Sequence, residues 1–74
     1  MTSHRKSVTI RGEMVDMLLE RIAAERNPSI SMMDLVEQLL APNEVPVYVW
    51  ILWDKVKNER FPNLNLMRRL MAFR

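Results

Sequence analysis

Val45-Pro46-Val47-Tyr48-Val49-Trp50-Ile51-Leu52-Trp53 is the stretch that decides how this chain folds. After Pro46 come seven uninterrupted apolar residues, which include both tryptophans and the single tyrosine of the chain. Pro46 suits the first turn of a helix, because the N–H it lacks would have no intrahelical partner there. The continuation Asp54-Lys55-Val56-Lys57-Asn58-Glu59-Arg60 is charged and tolerates helix, so the pattern predicts one helix over 46–59. Its first half is apolar on every side. Such a helix is either a buried central strut or carries one face left over for a partner.

Working outward toward the N-terminus, 41–44 (Ala-Pro-Asn-Glu) reads as a turn. Before it, Ser31 followed by Asp34 reads as an N-cap with an acid in the first turn. Met32, Leu35, Val36 and Leu39 then form that helix's buried stripe, with Glu37 and Gln38 outward. Asn27-Pro28 ends the preceding helix, since the residue before proline avoids helical angles. That helix, over 13–26, has the clearest pattern: Val15, Leu18, Leu19 and Ile22 recur at i, i+3, i+4 and i+7. Glu13 and Asp16 favour its N-terminal dipole. Gly12 interrupts the pattern ahead of it. Ser7-Val8-Thr9-Ile10-Arg11 alternates polar and apolar, as a short strand or as an extended lead-in that tucks Val8 and Ile10 onto the core. Residues 1–6 form a polar, basic arm. Toward the C-terminus, Phe61-Pro62-Asn63 ends the long helix, and Asn63 or Asn65 caps a last one with Leu66, Met67, Leu70 and Met71 as its stripe. The expected fold class is all-α: a compact bundle of about four short helices with helix-turn-helix character. An extended N-terminal arm (1–12) precedes a single helical domain (13–74).

The totals bound what such a fold can do. Seventy-four residues make one domain and bury about 60–65% of the unfolded surface, for a stability of roughly 4–11 kcal/mol. The chain has no cysteine, which excludes disulfides and thiolate metal sites and fits a reducing cytoplasm. No apolar run approaches the roughly 18 residues a membrane helix needs, and the polar start has no signal-peptide core. One glycine and seven methionines suit a helix-rich protein with an adaptable core or contact surface. Net charge is +2, unevenly spread. Arg5, Lys6 and Arg11 give residues 1–12 a charge of +3; seven acids against two bases give 13–44 a charge of −5; six bases against two acids give 45–74 a charge of +4. Either these segments attract one another, or the basic ends touch an anionic partner.

Catalytic chemistry is missing. His4 is the sole histidine and lies in the arm, so neither a His-based metal site nor a nucleophile–base pair can be assembled. No glycine-rich phosphate loop occurs, and Asp16 and Glu20, four apart, read as a solvated helix face. The expectation is a non-enzyme without cofactor or metal.

Three binding modes fit what remains. A helix-turn-helix would put the second and third helices on DNA with Lys55, Lys57, Arg60, Arg68 and Arg69 on phosphates. Its reading head, Val47 to Trp50, has none of the Arg, Lys, Asn or Gln that read base edges. A ribbon-helix-helix repressor would send Ser7, Thr9 and Arg11 into the major groove with Val8 and Ile10 inward, leaving Val45 to Trp53 unexplained. A protein-binding module would use the arm (Arg5, Lys6, Val8, Ile10, Arg11) and the cluster Tyr48, Trp50 and Trp53, since aromatic residues are favoured interface anchors.

Glu13-x-x-Asp16, then Glu20-Arg21-Ile22-Ala23, a serine-led second helix, Val45-Pro46, Val47-Tyr48-x-Trp50-Ile51, Phe61 and Arg68-Arg69 resemble the N-terminal helix-turn-helix of small terminase subunits of tailed phages, over about residues 11–74. The chain departs from that pattern in having no polar residues between Val45-Pro46 and Val47-Tyr48. In size and overall character it is also similar to the small transcription regulators of lytic phages, of the kind found in a Xanthomonas phage. This second resemblance implies a monomer that binds host RNA polymerase near the N-terminus of the β′ subunit, displaces the σ factor to inhibit initiation, and acts in antitermination.

Overall fold

Each helix of this protein begins where local chemistry can take up backbone N–H groups that have no partner within the helix. The computed structural model describes residues 9–61 and 63–73. They form α1 (Ile10–Ala24), α2 (Ile30–Leu39), a 3₁₀ turn (Pro42–Glu44), α3 (Val45–Lys57) and α4 (Leu64–Met71). No strand occurs among the described residues. Thr9 caps α1, its Oγ1 accepting from the Gly12 N–H at 2.9 Å. Asn63 caps α4 by accepting from the N–H groups of Asn65 at 2.9 Å and Leu66 at 3.3 Å. α3 has no side-chain cap; the 3₁₀ turn and Pro46 replace one. Glu44 closes that turn by accepting the Ala41 N–H at 2.7 Å.

Three boundaries differ from the sequence expectation. Thr9 sits in extended backbone and starts α1 three residues early, so Ile10, Arg11 and Gly12 are helical rather than part of an arm or strand. Gly12 is a first-turn residue, not an interruption. Ile10 is 75% exposed and does not tuck onto the core. Of the ribbon-helix-helix segment only Thr9, Ile10 and Arg11 are described, and two of these are helical. Ser7 and the arm residues His4, Arg5, Lys6 and Val8 lie outside the described residues. Ser29, not Ser31, caps α2, accepting from the Met32 N–H at 3.2 Å. That frame buries Met33 and Val36 and leaves Leu35 exposed and Met32 and Leu39 half-buried. α3 starts at Val45 and stops at Lys57, where Asn58 Nδ2 donates to the Asp54 carbonyl at 2.8 Å.

The core gathers Val15, Leu18, Leu19 and Ile22 of α1, Met33 and Val36 of α2, Tyr48, Leu52 and Val56 of α3, and Leu66 of α4. α3 therefore buries a single line of residues four apart. It is a one-sided helix despite its apolar first half. The backbones of α1 and α2, α1 and α3, and α3 and α4 lie side by side, whereas α2 reaches α3 and α4 through side chains. Arg69 is central to that link: its Nη1 donates to Glu37 Oε2 and its Nη2 to Asp34 Oδ1, both at 2.8 Å. The Tyr48 hydroxyl donates to the same Glu37 oxygen, and Phe73 packs edge-on to the Tyr48 ring at 5.7 Å between centroids. Arg26 pairs with Glu59 at 3.2 Å. The Arg69 clasp joins the acidic middle to the basic C-terminal part of the chain, whereas Arg26–Glu59 pairs a base of the former with an acid of the latter.

Candidate functional site

On the side of α3 away from the Tyr48–Leu52–Val56 line, the apolar stretch stays in solvent. Val47 is 51%, Trp50 58% and Trp53 46% exposed. A helix turns 100° per residue, so a run apolar on all sides cannot be covered by neighbours on one side alone. Beside Trp53, α3 and α4 enclose a groove of about 390 Å³ lined by Val49, Trp53, Met67, Leu70, Met71 and Phe73. All six side chains are apolar. Lys57 Nζ stands 5.0 Å from the centroid of Trp50, within cation–π reach. Phe61, 82% exposed, carries Arg60 at 5.9 Å in the same way.

The structure separates the residues singled out in the sequence. Tyr48 has no exposure and is a core residue instead of a contact residue. Burial, then its hydrogen bond to Glu37, pushes its hydroxyl well above the usual tyrosine range. Arg11 is spent internally: its Nη1 donates to the Leu39 carbonyl at 2.7 Å and to Glu44 at 3.1 Å, closing the C-terminus of α2 as basic side chains often do. The Ala41 N–H and the Arg11 guanidinium together hold the Glu44 carboxyl below its ordinary value. Lys55 does for α1 what Arg11 does for α2, donating to the carbonyls of Ala23 at 3.0 Å and Glu25. Arg69, although burial works against its charge, is held above its ordinary value by Glu37 and Asp34.

Two of the five bases assigned to phosphates, Lys55 and Arg69, are therefore engaged within the fold. Lys57, Arg60 and Arg68 make no ion pair among the described residues. Of the assigned protein contacts, Trp50 and Trp53 lie together on an open face, and Ile10 is exposed at the start of α1. Sequence reasoning missed the α4 wall of the groove. The signal was present: Leu66, Met67, Leu70 and Met71 make a stripe two residues wide, more than one packing partner covers. Leu66 is buried and Leu70 half-buried, while Met67 and Met71 remain 39% and 57% exposed.

No described helix is long and apolar enough to cross a membrane. Comparison with protein-family models, with curated proteins and with solved structures finds no match to this chain.

Proposed function

We propose that this chain is a stoichiometric protein-binding module that docks through the Trp50/Trp53 side of α3. Its proposed partner is bacterial RNA polymerase, in the N-terminal region of the β′ subunit, where binding inhibits initiation by displacing σ and has antitermination as a further effect. The choice of polymerase rests on the resemblance to phage transcription regulators. The observation that carries protein binding is the pair of half-exposed tryptophans beside a wholly apolar groove. Contiguous exposed apolar surface of this kind marks interaction sites, and tryptophan is the residue most enriched among interface hot spots.

The DNA-binding alternative, a small-terminase-like helix-turn-helix, keeps Lys57, Arg60 and Arg68 for phosphates. Its reading head at the start of α3 has Val45, Pro46, Val47, Val49 and Trp50, and none of these is the Arg, Lys, Asn or Gln that reads base edges. The two readings part in a pull-down with purified RNA polymerase, nuclease-treated, with wild type beside Trp50→Ala. Trp50 is exposed, so the variant keeps its fold, checked by circular dichroism. Retention of polymerase by the wild type, about tenfold weaker for the variant, supports the proposal. Binding that needs DNA and falls steeply between 50 and 200 mM salt, as phosphate contacts do, overturns it.

A further inference from the structure

The groove between α3 and α4 has two properties that together specify what fits it. Its walls are Val49 and Trp53 on one side and Met67, Leu70, Met71 and Phe73 on the other, without a polar side chain. On the stretch that supplies it, three bases stay outside the ion pairs of the described residues: Lys57, one turn beyond Trp53 on α3, Arg68, one position from Met67 on α4, and Arg60 in the connection between them. Against these three bases, Asp54 is the unpaired acid of the same stretch among the described residues, since Glu59 is held by Arg26. We infer that the groove is a docking site for an acidic amphipathic helix of a partner protein, with apolar anchors at i, i+3 or i+4, and i+7 in the cleft and carboxylates toward Lys57, Arg60 and Arg68. The inference rests on the protein-binding reading above and names the chemistry of the surface that would be bound.

Other occupants fit less well. A second copy related by a two-fold axis would bring the same patch onto itself, setting two basic surfaces against each other. Single-stranded nucleic acid needs free aromatic faces on which bases stack, but one face of Trp50 carries Lys57 and only Trp53 and Phe73 of the six cleft side chains are aromatic. A membrane surface is met by apolar side chains that project, whereas these enclose a hollow. Methionine at two of the six lining positions suits a groove that adapts to the side chains it receives.

The test is selection from a display library of random 16-residue peptides on the full chain. Two variants serve as controls: Met67→Lys/Met71→Lys, which fills the cleft with charge at exposed positions, and Lys57→Glu/Arg68→Glu, which reverses the rim. Thermal melts establish that both stay folded. The expected result is enrichment of acidic peptides with the stated apolar spacing. A synthesised winner should bind at least about tenfold more weakly to the methionine variant, a loss on the scale of a single hot spot, and measurably more weakly to the rim variant. The inference is overturned by enriched peptides without acidic bias, by binding that survives the methionine substitutions, by sedimentation as a dimer through this face, or by equal retention of anionic vesicles or single-stranded DNA. Polymerase gives an independent readout. If peptides behave as expected but polymerase is not retained, the groove assignment stands with another partner. If polymerase binds the methionine variant as well as wild type, the polymerase reading stands and this inference falls.

Discussion

Tyr48 and Trp50 are two residues apart in one apolar run and have opposite fates. Tyr48 is sealed in the core with its hydroxyl on Glu37; Trp50 stands in solvent under Lys57. Removing the hydroxyl by Tyr48→Phe should cost about 1.5–3 kcal/mol, the net value of a hydrogen bond to a charged group, measured by urea unfolding at pH 7. Burial, together with that contact, also sets a pH dependence. Folding raises the Tyr48 pKa above its ordinary 10.0, so its stabilisation is complete below pH 10 and is lost as pH climbs through the folded value. Wild type should therefore lose stability relative to Tyr48→Phe above pH 10. Because Tyr48 is the chain's only tyrosine, absorbance near 295 nm should report no ionisation until the protein unfolds. Tyrosinate appearing near pH 10 in the folded protein would contradict the burial.

At the scale of elements, the two serines before α2 separate local propensity from packing. Ser29 and Ser31 are both good N-cap residues, and Ser31 has the acid Asp34 three positions on where Ser29 has Met32. Ser29 takes the role because that frame turns Met33 and Val36 toward the buried residues of α1. Ser29→Ala should then cost about 1 kcal/mol, while Ser31→Ala, on the exposed surface of the first turn, should stay within about 0.5 kcal/mol. Thermal melts of the two variants side by side decide it; a larger loss for Ser31→Ala would return the cap to Ser31. α1 shows the same effect in reverse. Thr9 caps α1 and takes Gly12 into its first turn, although glycine is a weak helix former. A good cap and a buried Val15–Ile22 stripe outweigh that cost.

For the whole molecule, α4 is held by a small apolar contact and a polar clasp. Leu66 is its one buried residue, and Arg69 ties it to Asp34 and Glu37 on α2. The Arg69 side chain is only 14% exposed, so Arg69→Met would leave two carboxylates without their partner, at a cost of about 1–3 kcal/mol. Hydrogen exchange should show the loss concentrated in α4, with the amides of α1 less affected. Uniform loss of protection would mean that α4 and the rest unfold as one unit. Since α4 supplies half of the groove, the same substitution should weaken any ligand of that groove without touching a lining residue.

Helix number, order and the all-α class were legible in the chain because they depend on apolar periodicity, proline positions and short polar caps, all local properties. Of the two readings of its uneven charge, attraction between segments is seen in Arg11–Glu44 and in the Arg69 clasp. Which side of a helix faces inward was not legible where the helix is apolar all round: Val47 to Trp53 allows any frame, and only packing against α1 and α4 chose the Tyr48–Leu52–Val56 line. Nor could spacing tell a basic residue bound for a partner from one spent at home. Arg11 and Lys55 close the ends of α2 and α1 from about thirty positions away in sequence, and carbonyls at helix ends carry no signature in residue type. The sequence by itself determined the elements and the excess of apolar surface; the tertiary structure decided where that excess emerges, because burial depends on which helices meet and not on the residues of any one of them.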